Sequence, residues 1–358
     1  PARKTTGTGK TTGPKAATKK ASTKTDAKKT KAVEKPSGKK PVDAPGKKTA
    51  TSAVWEVHDF ISDYDIYLFR EGKHFSLHNK LGAHVTRQKQ TEGTFFAVWA
   101  PNAASVSVIG NFNHWNKASH MLKARKDGSG IWEGFIPGVG KGEAYKYFIR
   151  SQFDNYEVEK ADPVSFYNEH PPKTASIVWE HAYTWKDEEW MEKRKDHNHL
   201  DGPMSVYEVH LESWRRSVEE EMRSLTYKEL GEQLSSYVKY MGYTHVELMP
   251  VTEYPFSGSW GYQVTGFYAP TSRFGNPDEF MEFIDILHQN DIGVIIDWVP
   301  SHFPGDLHGL HFFDGTYLYE HEDPRKGFHP DWNSYIFNYG RNEIRNFLIS
   351  SAHSGMER

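Results

Sequence analysis

Cysteine is absent from the 358 residues, which excludes a disulfide framework and any thiolate metal site and agrees with a reducing compartment. No apolar run approaches the roughly 20 residues of a membrane span, and the N-terminal stretch has no apolar core of the kind an export signal needs. The expectation is a cytoplasmic chain with no membrane contact. The first fifty residues lack aromatic side chains altogether and hold Val33 and Val42 as their larger aliphatics. Such a segment cannot bury enough apolar surface to offset the entropy of ordering.

That same segment carries 15 Lys or Arg against three acids, Asp26, Glu34 and Asp43, while the rest of the chain is acidic. Residues 1–52 are therefore expected to be a disordered Lys-rich tail. Clustered Lys can contact polyanions or nucleic acid without sequence specificity; a charge run is more often a solvated extension.

From 53 to 185 the pattern is short and alternating. Phe95, Ala97 and Trp99 alternate with Phe96, Val98 and Ala100; Val106 and Val108 oppose Ser105 and Ser107; Tyr145, Tyr147 and Ile149 share a face. With turn signals such as Asp127 to Gly130, this predicts an all-β, immunoglobulin-like sandwich. Phe112, Trp115 and Trp132 lie in or beside its loops, where rings could stack on sugar faces, although core packing is the commoner fate of any one Trp.

A polar stretch at 186–203 reads as a linker. Residues 204–358 then alternate strand and helix. SVYEV begins the series. Thr226 and Glu229 form a capping box before a helix carrying Leu230, Leu234, Tyr237, Val238 and Met241, with Gly242 past its end. THVEL follows, then a helix capped by Asn276 with Pro277 at its first position and Phe280, Phe283, Ile284 and Leu287 on one side. GVII is an apolar run expected to be buried on both faces of a parallel sheet. A last helix starts near Asn342 with Ile344, Phe347 and Leu348 on one side.

No GxGxxG or GxxxxGKS follows any of these strands, which argues against a nucleotide-binding doubly wound sheet. Polar and aromatic residues instead follow successive strand ends: Glu212 and Trp214, Glu253 to Tyr262, Asp297 to His302. That is where a (β/α)8 TIM barrel builds its site, and three β/α units of such a barrel are predicted. His302, Asp306, His308 and His311 could suggest zinc. They fall in a Gly- and Pro-containing loop with no HExxH, so neither a metal nor another cofactor is expected.

GSWGYQ, FYAPTSRFG and DWVPSHFPGD resemble motifs of the α-amylase superfamily. The continuation from LHGLHFFDG to NYGRNEIRNFLI resembles bacterial 1,4-α-glucan branching enzymes, and FAVWAPNAASVSVIGNFNHWN resembles their N-terminal carbohydrate-binding module. The resemblance implies retaining transfer of α-1,4-glucan segments to 6-hydroxyls in glycogen biosynthesis, with α-glucan as partner. It implies that Tyr262 stacks under a sugar, His302 hydrogen-bonds its hydroxyls, Asp297 supports the site and Trp260 shapes it. The nucleophilic Asp and acid/base Glu of the family are expected beyond Arg358, so the chain is read as the N-terminal part of such an enzyme, inactive by itself. SAHSG departs from the family, and its Ser354 and Gly355 are expected to weaken the last helix. The competing expectations are a non-catalytic glucan-binding protein using the β module and a polyanion-binding protein using the tail.

Overall fold

The computed structural model describes residues 53–57, 59–197 and 201–357; the expectations for the tail at 1–52 lie outside them. The lead-in opens with helix α1 (Asp63–Glu71), started by Ser62 and closed by Gly72 in the left-handed conformation. Strands β1 (Gly82–Gln88), β2 (Thr91–Trp99), β3 (Ala103–Gly110), β4 (Lys123–Ala124), β5 (Ile131–Pro137), β6 (Ala144–Ser151), β7 (Glu157–Lys160) and β8 (Ser176–Ile177) follow. They form two sheets, β1-β2-β5-β4 and β3-β6-β7, with β8 pairing β6. This is the expected sandwich. Phe95, Phe96, Phe135, Tyr145 and Tyr147 fill it. Ser107, expected on the outer face, is buried and donates to the Lys117 carbonyl at 2.7 Å. Trp132 is half-buried and held to the Ala100 carbonyl at 3.0 Å, a packing role.

The 186–203 segment contains helix α2 (Glu188–His197). Its Trp190 is buried and stacks at 5.2 Å on His288, whose Nδ1 meets Asp187 at 2.7 Å. The polar stretch is thus fastened to the next layer through one aromatic residue and one carboxylate.

Beyond it come β9 (Val206–Val209), the single turn α3 (Leu211–Trp214), a hairpin of β10 (Arg216–Ser217) and β11 (Arg223–Ser224), and α4 (Tyr227–Met241). Next are β12 (His245–Leu248), β13 (Thr252–Glu253), β14 (Gly266–Pro270), α5 (Pro277–Gln289) and β15 (Gly293–Ile296). Both predicted capping boxes, Thr226 with Glu229 and Asn276 with Glu279, are formed, and Gly242 ends α4 at φ 81°. Strands β9, β12 and β15 make one parallel sheet in the order β15-β12-β9, as three β/α units require. Val209, Val246 and Leu248 face a core shared with Leu230, Leu234, Phe283 and Leu287 of α4 and α5.

Met241, in the last turn of α4, is half exposed. One expectation is corrected. The β15 run is not buried on both faces: Ile296 is 38% exposed and Ile295 half-buried, since β15 pairs only β12 among the described residues.

The long connection after β15 holds β16 (His302–Pro304), α6 (Pro324–Gly327), β17 (Phe328–His329) and β18 (Ser334–Ile336), with the antiparallel order β16-β18-β17. Helix α7 (Asn342–Glu357) ends the chain's described part and buries Ile344, Phe347 and Leu348 as expected. It also continues through Ser354 and Gly355, contrary to the expected weakening. Small polar residues serve packing there: Asn346 bonds the Phe69 carbonyl (2.6 Å) and the His74 N–H (2.8 Å), Ser350 accepts from the His78 N–H (3.1 Å), and Ser351 donates to the Phe267 carbonyl (2.8 Å). One core cluster runs from Val54 through the sandwich to Leu348 of α7.

Candidate active-site wall

Alternate residues of a strand face opposite sides of the sheet. Since Val209, Val246 and Leu248 face the helices, the other side carries Glu208, Glu247 and, at the end of β15, Asp297. Glu208 and Glu247 are register partners across the parallel pair. Three carboxylates thus share one side of a three-stranded sheet, at the ends where the loops emerge. A partial loss of solvent, the charges of Asp297 and Glu208 and a hydrogen bond to Asp297 together raise the Glu247 carboxyl above its ordinary value. Like charges so placed favour holding a proton between them.

Tyr262 closes over this group. Its hydroxyl donates to Asp297 Oδ2 at 2.9 Å. Loss of solvent first, then that hydrogen bond and the Asp297 charge, push the phenol up to about 12, so it stays a donor at neutral pH. The loop bearing it turns at Gly261, where φ is 89° and a β-carbon would collide with the Pro250 carbonyl oxygen. Glycine is required there on both counts.

A buried ion pair braces the loop from behind. Arg273 Nη1 reaches Glu253 Oε1 at 3.1 Å and the Tyr254 carbonyl at 2.7 Å, and the guanidinium lies 3.9 Å over the Tyr254 ring. Both charged side chains are 6% exposed. Burial raises the Glu253 carboxyl, against the opposing effects of the Ser272 N–H and Arg273. Ser272 N–H donates to its second oxygen at 2.7 Å.

His302, on β16, is buried with its Nδ1 2.7 Å from Ser301 Oγ and its ring 5.3 Å from that of Trp332. Burial lowers its pKa below the ordinary histidine value, against a hydrogen bond with the Tyr262 backbone. It is therefore neutral at pH 7 and can both donate and accept. Trp332 also stacks on His329 at 4.7 Å, and its carbonyl accepts from Gln263 Nε2 at 3.1 Å.

Of the four predicted residues, Tyr262, Asp297 and His302 are brought together. Trp260 is not joined to them by a hydrogen bond or ring contact: it sits two residues away at φ 55° with its side chain outward, 59% exposed. Sequence reasoning missed Glu208, Glu247, His329 and Trp332. The first two did leave a signal, a lone acid inside each of two apolar strands at matching positions. The His/Asp loop cluster is dispersed, with His311 turned to Glu320 at 2.8 Å and burial lowering His308 to about 4. Among the described residues no group of three or more His, Cys, Asp or Glu is placed to hold a metal ion.

Comparison with known proteins agrees with this architecture. Residues 80–165 match carbohydrate-binding module 48 (isoamylase N-terminal domain), and residues 228–329 match the alpha amylase catalytic domain. The pullulanase from Bacillus acidopullulyticus has the same fold over 77% of this chain and 36% of its own, with a TM-score of 0.59 at 19% identity. The catalytic module of the pneumococcal virulence factor SpuA superposes over 82% of this chain and 47% of its own, also at 0.59 and 19%. At such identities the likeness concerns the fold alone. Much nearer in sequence are the 1,4-alpha-glucan branching enzymes GlgB of Albidiferax ferrireducens, 60% identical over 291 residues, and of Aquifex aeolicus, 58% identical over 298. These alignments cover 81% and 83% of this chain but 46% and 47% of the enzymes. The chain is thus a homologue of the 1,4-alpha-glucan branching enzymes GlgB, of whose length it spans about half.

Proposed function

We propose that this chain binds and orients an α-1,4-glucan for the branching reaction, a retaining transfer of glucan segments to 6-hydroxyls. The observation that carries the reading is the Tyr262–Asp297 hydrogen bond at 2.9 Å, with neutral His302 held against the same loop. The Tyr262 ring is the stacking face for one glucose unit, its tilt fixed by Asp297. His302 hydrogen-bonds the sugar's hydroxyls. Trp260, outward on its turn, extends the apolar face along the chain. The segment divisions that go with this reading are a carbohydrate-binding module at 53–185, a connection at 186–203 and the barrel part at 204–358.

Double displacement needs two carboxyl groups about 5 Å apart across the scissile bond. Glu247 is instead hydrogen-bonded to Asp297, so the two do not stand apart across a sugar ring. The assigned role is thus binding and orientation, and the purified chain is expected to leave the iodine spectrum of amylose unchanged.

Maltoheptaose titration followed by calorimetry tests the reading. Tyr262→Ala and His302→Ala should each weaken binding about tenfold, equivalent to about 1.4 kcal/mol, with the unfolding midpoint shifted little. Undiminished binding by both variants would refute the assignment.

A further inference from the structure

The small sheet β16-β18-β17 has two faces, and only one of them belongs to the site above. His302 pairs with Ile336, whereas Phe303 pairs with Tyr335, which in turn pairs with Phe328. By strand alternation Phe303, Tyr335 and Phe328 lie on the side opposite His302. There a cleft of about 340 Å³ opens, lined among others by Tyr317, Phe328, Tyr335, His311, His321 and Glu322. Its volume falls at the lower end of the range of small-molecule sites.

The walls are preorganised. The His311 ring lies flat on Tyr335, 3.8 Å between centroids at 13°, and Phe328 meets Tyr335 edge-on at 5.2 Å. Glu320, wholly buried, holds His311 Nδ1 at 2.8 Å and also accepts from the Phe312 N–H. This bond fixes a proton on Nδ1; when the ring is neutral, Nε2 is then an acceptor. At His321 the roles reverse: Nδ1 accepts from the Asp323 N–H at 3.2 Å, so Nε2 carries the proton. The cleft therefore presents one imidazole acceptor, one imidazole donor and the Glu322 carboxylate beside aromatic faces.

That combination selects a ligand chemistry. Glu322 disfavours an anion, and among the described residues no group of three or more His, Cys, Asp or Glu is placed to hold a metal ion there. A neutral polyol with an apolar face satisfies both kinds of wall: its C–H surface meets the rings, and its hydroxyls donate and accept. We propose that this cleft is a second saccharide site, taking a glucose unit of an α-glucan on the face of the small sheet opposite His302. The choice of glucan among neutral saccharides rests on the function proposed above.

Hydrogen–deuterium exchange of the full chain with maltoheptaose tests it. The wild-type chain should gain protection both at 317–328 and at 258–302. Tyr317→Ala, altering a side chain already 37% exposed, should raise the maltoheptaose concentration for half-protection of 317–328 about 5-fold and leave 258–302 unchanged. Glu322→Gln, at an exposed position, should act in the same direction, and matching melting curves establish that both variants are folded. Tyr262→Ala should do the converse. Protection at 258–302 without any at 317–328 overturns the second site, as does loss of both together in Tyr262→Ala. Protection at 317–328 alone supports the cleft and overturns the placement of glucan at Tyr262, and protection at neither overturns both.

Discussion

Arg273 illustrates how one side chain can decide the geometry of a site it does not touch. Its guanidinium and the Glu253 carboxylate are both nearly sealed from solvent, so removing one leaves the other charged and buried. Such a loss costs about 3–5 kcal/mol, whereas exchanging both partners for apolar groups costs far less. Arg273→Leu should therefore lower the stability measured by urea denaturation by about that amount, and Arg273→Leu combined with Glu253→Leu should recover much of it. Equal losses in the single and double variants would refute the pair as the brace. The Tyr262, Asp297 and His302 positions were legible in the sequence because they sit in motifs with a family likeness. The brace was not: Glu253 and Arg273 are twenty positions apart, and only the return of the chain through β14 brings them together. Glu208 and Glu247 escaped notice for a related reason, since their meaning depends on the register of two strands and not on either strand alone.

Elements were legible where their signals are local. The capping boxes of α4 and α5 and the Gly242 stop are each complete within four or five residues, and each is formed as read. The two- and three-residue strands of the loops, β13 and β16 to β18, are too short to show alternation, so the small sheet that separates His302 from Tyr335 had no sequence signature. The Gly261 turn lies between these cases, and two glycines separate its two constraints. Gly242, at φ 81°, has open space around a would-be β-carbon, whereas Gly261, at φ 89°, would strike the Pro250 carbonyl. Gly242→Ala should cost about 1 kcal/mol, the strain of left-handed backbone alone. Gly261→Ala should cost more, about 2–3 kcal/mol, and weaken maltoheptaose binding because the turn carries Trp260 and Tyr262. Chemical denaturation of the two variants side by side checks the order; equal losses would show that the close approach to Pro250 carries no energetic weight.

At the scale of the whole molecule the sandwich and the barrel part are joined by a shared core and by a polar seam, and the seam contains a titratable group. Lys160, at the end of β7, is wholly buried and donates to the His311 carbonyl at 2.6 Å. Alongside it, the Ala161 N–H meets the His308 carbonyl, and the Asn102 N–H meets Asp314 Oδ2, both at 2.9 Å. Burial lowers the lysine to about 7, against the raising influence of Glu320 and Asp314. In the unfolded chain the group titrates near 10.5. Between those values the unfolded state holds more protons than the folded one, so this residue makes stability rise with pH from about 7 towards 10.5. Below 7 both states are protonated and its unfavourable contribution is complete. The slope approaches at most roughly 1.4 kcal/mol per pH unit. Lys160→Met keeps the length of the side chain and removes the charge, so it should flatten this part of the profile and gain most in relative stability near pH 7. Urea midpoints of both proteins at pH 7, 8 and 9 decide the matter, because a wild-type slope unchanged in the variant would mean that the seam holds its lysine without any proton linkage to folding.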